Sequence, residues 1–317
     1  MTRALTISNN LTVSGDIKLN NSIKDSSGSA GTNGYVLTST GTGWNWATTL
    51  TNGTNYSNIV HWDSSSSEWV VNGSSSVKIG NDAGLNSLST DCVAIGYQAG
   101  YSGSSRYGIA IGYQAGKYTQ GQSGVAIGTD AGKYTQGQRA VAVGASAGQF
   151  TQGQYGVAIG NSAGSTNQGT HAVAIGNSAG ENTQDKYAVA LGYGTGRFVQ
   201  GDSAVAIGYK SGENIQGQET VAIGIFAGRY SQSKRAVAIG TLAGILNQGE
   251  NSIAIGSLAG TTNQSQNSII LNATGTFVTP NNTDSFYVKP IRGIAHGVGV
   301  GIMKYDSSTG EITYSTT

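Results

Sequence analysis

The side chains with chemistry to offer are few and scattered: three histidines, one cysteine and a set of regularly spaced glutamines. His61, His171 and His296 lie far apart in unrelated contexts. No C-x-x-C, H-x-x-x-H or D-x-D-x-D-G cluster supplies the ligand spacing that a metal site needs. The glycine-rich segments lack the Lys-Ser/Thr that follows a phosphate-binding loop. Catalysis needs titratable groups that converge, and none do here. The sequence therefore predicts no enzyme, no cofactor and no metal. Cys92 stands alone, so no internal disulfide can form, and it precedes Val93-Ala94-Ile95-Gly96 as a small buried filler.

The glutamines recur every 16 residues, from Gln120, Gln136 and Gln152 through to Gln264. Identical amides stacked at strand spacing can hydrogen-bond to one another, which predicts a buried or half-buried amide ladder. Two residues before each glutamine lies a column that holds Tyr118, Tyr134, Phe150, Phe198 and Tyr230. Ring-on-ring stacking is its plain reading, and a groove that stacks sugars or a partner's side chains is the sharper one. A more varied column contains Ser123, Arg139, Tyr155, His171, Tyr187, Ser203, Glu219, Arg235 and Asn251. Its variety implies exposure. Together with the column of Lys117, Lys133, Glu181, Arg197, Glu213 and Arg229, it is the expected place for a ligand or receptor surface. Within it, Arg139, Tyr155, His171, Tyr187 and Arg235 are the candidate contacts, alongside Tyr118, Tyr134 and Phe150.

These columns need a scaffold with one strict period, and the glycines supply it. Gly80, Gly96, Gly112, Gly128, Gly144 and Gly160 begin a series that runs at the same spacing to Gly256, and a second glycine follows each four residues later. An unbroken repeat of this length specifies a solenoid in which each coil stacks on its neighbours. Val125-Ala126-Ile127 alternates large, small, large, as a strand does, with Val125 and Ile127 on one face. The expected arrangement stacks these large residues inside, as a continuous apolar core. It leaves the alanine column packed against a second chain or a tight turn. A polar segment such as Lys133-Tyr134-Thr135-Gln136-Gly137 follows as a turn and a second short strand. The fold class is thus all-β, a parallel β-roll or β-solenoid of 16-residue coils, and twelve coils at about 4.8 Å span roughly 58 Å.

Composition agrees. Charged residues make up 10% of the 317 and the net charge is +1, which gives no electrostatic case for nucleic acid or an anionic membrane. No window approaches the ~18 apolar residues that a membrane span needs. The start, Met1-Thr2-Arg3-Ala4-Leu5, has no secretory signal, so arrival outside a cell is expected on a particle or by lysis. Three segments are expected: an N-terminal β cap or attachment module over 1–75, the solenoid over 76–272, and a C-terminal β cap over 273–317. In the first, Leu5-Thr6-Ile7 and Leu11-Thr12-Val13 alternate like strands, and Ile59-Val60-His61-Trp62 with Glu68-Trp69-Val70-Val71 reads as a hairpin. Ser268-Ile269-Ile270-Leu271-Asn272 is one degenerate coil with Asn in the glycine place, and Met303 to Tyr314 reads as a closing hairpin around Asp306-Ser307-Ser308-Thr309-Gly310.

The recurring V-A-I-G-x-x-A-G turn resembles the head repeat of YadA-type trimeric autotransporter adhesins over residues 77–272. That resemblance implies a left-handed β-roll, a homotrimer of side-by-side chains, and adhesion to host surface molecules. The period is slightly longer than is usual in that family, and no heptad stalk or membrane-anchor barrel accompanies it. The flanks, Asn10 to Ile17, Gly34 to Gly41 and Phe286 to Arg292 with the closing hairpin, resemble segments of phage tail fibres and giant-virus fibre proteins. Together these resemblances imply a fibre or spike on a virion surface that attaches to a host glycan or protein and joins other virion proteins at one end. A structural filament or spacer without a ligand is the alternative. A bacterial surface adhesin would need a leader and an anchor.

Overall fold

The computed structural model describes residues 36–39, 44–47, 60–63, 68–71, 76–86, 89–279, 282–291 and 302–315. The chain divides into two compact units, Met1–Ser75 and Ser76–Thr317. In the first unit, Val36–Ser39 pairs antiparallel with Trp44–Ala47, and Val60–Asp63 pairs antiparallel with Glu68–Val71. The second pair is the hairpin expected from the sequence. The strand-like segments Leu5-Thr6-Ile7 and Leu11-Thr12-Val13 lie outside the described residues.

The second unit is a parallel β-solenoid with no helix among its described residues. Its long sheet has fourteen strands, from Val77–Ile79 to Phe286–Lys289. Each residue pairs with its equivalent one coil away, as Val125, Val141 and Val157 do. A second column of two- and three-residue strands carries the glutamines. It forms one sheet of three strands and another of five, linked by single bridges at Gln168.

Backbone geometry explains the glycine period. Gly128 has φ +129°, and a Cβ there would sit 2.6 Å from the carbonyl oxygen of Gly144. Both constraints forbid a side chain, so the coils can approach this closely only with glycine at this corner. Two further positions per coil take the left-handed conformation without glycine. One is the column of Asp130, Ser146 and Ser162, and the other is that of Arg139, Tyr155 and His171. Small polar residues tolerate this region best, which accounts for Asp130, Ser146, Ser162 and Ser178, whereas Lys210, Phe226, Leu242 and Leu258 hold the same place against that preference. The second holds bulkier groups at the same backbone cost.

The expected orientation of the long sheet is reversed. Val125 and Ile127 do not form the core: Val125 is half-buried and Ile127 is exposed. The column of Ala126, Ala142 and Ala158 points inward and is fully buried, as are Ala131 and Ala140. Cross-section decides the matter. A coil with strands of three and two residues encloses little volume, and the glutamine side chain already occupies much of it. A Cβ on Gly132 would lie 3.0 Å from the Gln136 amide carbon, so even one more methyl would crowd the interior. Only alanine fits opposite, and the β-branched residues must face out.

The first and last coils of the solenoid depart from the rule. Lys78 takes the alanine place in the first strand and turns its Nζ to the Gly84 carbonyl at 3.0 Å. Ile270 takes it in the degenerate coil and is fully buried, while Asn272 stands in the glycine place as expected. The long sheet then continues past residue 272. Phe286–Lys289 pairs parallel with Ile269–Asn272 after a step of 17 residues. The closing hairpin forms between Ile302–Tyr305 and Ile312–Ser315.

Candidate interaction surface

The glutamine column is interior. Gln120, Gln136, Gln152 and their equivalents are almost fully buried. Nε2 of Gln136 donates to the Val125 carbonyl at 2.8 Å, to Ala140 O at 3.3 Å and to Oε1 of Gln152 at 3.1 Å. The chain of amides runs on from Gln152 to Gln168, Gln184 and Gln200 at 3.0 Å each. Every donor points towards the C-terminal end. These residues satisfy the backbone of their own coil and, at most levels, the next amide, so they hold the scaffold and present nothing outward.

The aromatic columns are exterior. Tyr118, Tyr134 and Phe150 stack with centroids 5.4 and 5.2 Å apart. Lys117 and Lys133 lie over the Tyr118 and Tyr134 rings at 5.0 and 5.5 Å. On the other corner, Tyr155, His171 and Tyr187 stack at 4.7 and 5.4 Å. Arg139 caps that stack, donating from Nη1 to the Tyr155 hydroxyl at 2.7 Å with its guanidinium over the ring. The corner backbone holds the rings in register: the His171 N–H donates to Gln154 O in the preceding coil at 2.9 Å.

This geometry narrows the sharper sequence reading. A ring inside a stack has both faces covered by its neighbours, so it offers edges, hydroxyls and the imidazole rim to solvent. Free ring faces exist only at the ends of each run. Arg235, grouped with this column by sequence, lies three coils beyond Tyr187 and makes other contacts. Its Nε donates to Asn251 Oδ1 at 2.8 Å and its Nη2 pairs with Glu250 at 2.5 Å. The charged column is largely paired with itself, with Arg197 on Glu181 at 2.6 Å and Arg229 on Glu213 at 2.5 Å.

Two features escaped the sequence reading. Tyr97 with Tyr113, and Tyr193 with Tyr209, form two further stacks at 5.3 and 5.4 Å. Their signal was available, since each tyrosine directly follows a repeat glycine. The second is the outer face of the long sheet. From Val77 and Ile79 through Ile269 and Leu271, every outward position holds valine, isoleucine or leucine. These residues range from half-buried to exposed, with Ile79 at 51% and Ile255 at 38%. Among the described residues no group of three or more His, Cys, Asp or Glu could hold a metal ion, and no helix is long and apolar enough to cross a membrane.

The fold and its surface define a β-solenoid repeat protein with columns of identical residues and one apolar side. Residues 152–179 match the YadA head domain repeat, in two copies. No curated protein and no solved structure matches the chain. The matched segment contains Gln152, Tyr155, Gln168 and His171, so the ladder and the corner stack both pass through adhesin-type head repeats.

Proposed function

We propose that three copies of this chain pack their long sheets together into a fibre that attaches a particle to a host surface. The observation that carries the proposal is the outer face of the long sheet. Thirteen of its strands, at about 4.8 Å each, make the Val/Ile/Leu strip about 60 Å long. At roughly 10 Å wide it presents on the order of 600 Å², the upper end of what soluble monomers leave in water. It carries no charge and no break, as expected of a surface made for a copy of itself. The number three and the adhesin role come from the likeness to YadA head repeats. The virion setting comes from the flank motifs alone, with the segments over 1–75 and 273–317 as end caps or attachment modules.

In such a trimer the corner stack of Arg139, Tyr155, His171 and Tyr187 stays outside and repeats on each chain. Weak contacts with a host glycan or protein then gain from avidity. A filament or spacer without a ligand is the second reading. It is favoured by one specific observation: Arg235, Asn251, Asn267 and Asp284 satisfy each other along one corner and leave little for a partner. The test is binding of labelled protein to arrayed glycans and to cells. It compares the native chain with a variant carrying Tyr155→Ala, His171→Ala and Tyr187→Ala, both checked for equal mass. Loss of binding in the variant supports the attachment surface. Equal binding, or no binding by either while electron micrographs show end-to-end threads, supports the filament.

A further inference from the structure

One interior column marks a discontinuity. The place of Ala131 is alanine from Ala83 to Ala179 and again from Ala227 to Ala259, but Thr195 and Ser211 stand between. Both are fully buried. Thr195 Oγ1 donates to Gly208 O at 2.7 Å, whereas the buried Ser211 Oγ has no partner. The amide ladder fails at the same level. Gln184 donates to Gln200 and Gln232 donates to Gln248, yet the buried Oε1 atoms of Gln216 and Gln232 accept no hydrogen bond. The Oε1 atoms of Gln120 and Gln136, at the first step of the ladder, also lack a donor, but there the interior alanines Ala115, Ala131 and Ala147 are intact. The strand alanines run on through this level, with Ala206 fully buried between Ala190 and Ala222. The backbone does not divide: Val189, Val205 and Val221 pair in unbroken register.

At this level the cross-coil ion pair seen between Arg197 and Glu181 recurs with a second cation added. The Glu213 carboxylate is buried, with Lys210 Nζ at 3.1 Å and Arg229 Nε, from the following coil, at 2.5 Å. A solenoid's stability is the sum of its coils and the interfaces between neighbours, so a weak interface sets where the stack opens. A buried polar atom without a partner weakens an interface, and breaking a buried ion pair weakens it further.

We infer that the coils between Gly192 and Gln232 form a joint, at which the solenoid opens as two cooperative blocks. The Lys210–Glu213–Arg229 cluster is the latch across it. The latch replaces, from outside the coil, the cohesion that the alanine column and amide ladder supply elsewhere. The joint lies within one chain, so it holds whether the chain is alone or in a trimer.

Hydrogen exchange read by mass spectrometry on the full native chain tests this. Amides of Val205–Ile207 and Val221–Ile223 should exchange about tenfold faster than those of Val157–Ile159 and Val173–Ile175, since tenfold corresponds to one weakened interface. Ser211→Ala restores the alanine column and removes the orphan hydroxyl, and should slow exchange at the joint while leaving both blocks unchanged. Glu213→Gln should speed it at the joint alone. If that variant does not fold, raising sodium chloride on the native chain replaces it, with selective acceleration at the joint expected. An even exchange profile along the solenoid overturns the inference. So does a Ser211→Ala profile identical to the native one.

Discussion

The two faces of the long sheet come from the same three residues per coil, yet they solve different problems. The inner face is alanine at Ala126, Ala142 and Ala158, sealed from solvent and backed by an amide that bonds in three directions. The outer face is Val157 and Ile159 and their equivalents, half-buried or exposed among the described residues. The small side chains are inside and the large ones outside, which inverts the usual order of a soluble fold. The difference shows that cohesion of the single chain rests on close backbone approach and hydrogen bonding. Its large apolar side chains lie on the outer face.

Substitutions on either face separate these roles. The largest effect is expected from overfilling the interior. Ala158→Leu has no space to enter and should destabilise the solenoid by about 3 kcal/mol, seen as a lower thermal midpoint at every protein concentration. Gln152→Ala removes donors to Val141 O and Gly156 O and both ladder bonds, leaving the Gln136 Nε2 short of one acceptor. A loss of about 2 kcal/mol is expected from the stranded partners, checked by denaturant unfolding. Gln152→Glu should not rescue it, because a carboxylate cannot donate.

On the outer face Ile159→Asp should leave the circular dichroism of the single chain unchanged, because the side chain already meets water. It should shift assembly, so that the species seen in sedimentation becomes smaller and concentration-dependent. A variant that instead unfolds at all concentrations would move Ile159 into the core and erase the comparison. The smallest effect belongs to the closing hairpin. Hydrogen bonds from the Ser308 hydroxyl and the Ser308 and Thr309 N–H groups hold the exposed Asp306 carboxyl below its usual value of 3.8. The charged form is therefore favoured in the folded turn. Its contribution is present above the unfolded value and lost as pH falls through the folded one. Chemical shifts of Ser308 and Thr309 should report fraying of the turn only below about pH 4.

Much of this was legible in the sequence because the period is strict. Gly128 and Gly144 announced a coil-to-coil contact, Gln136 and Gln152 a ladder, and Val60 to Val71 a hairpin. The inside-out assignment was not legible from Val125-Ala126-Ile127 alone. Alternation separates two faces but does not say which is enclosed, and the enclosed volume depends on Ala131, Gly132, Gln136 and Ala140 acting together. The candidate surface was legible as columns but not as contacts. Spacing aligns Tyr155, His171 and Tyr187, whereas only geometry shows that they use their faces on each other. Arg235 shares their column, yet three coils of intervening chain place it with Glu250 and Asn251.

The central claim is that the Val/Ile strip is covered by copies of the same chain. Light scattering after size exclusion tests it most directly. A mass near three times 32.3 kDa that persists on dilution is the predicted result, with Ile159→Asp lowering it. A native chain that runs as a stable species of 32.3 kDa at all concentrations would contradict the claim, because the strip would then face water without a partner.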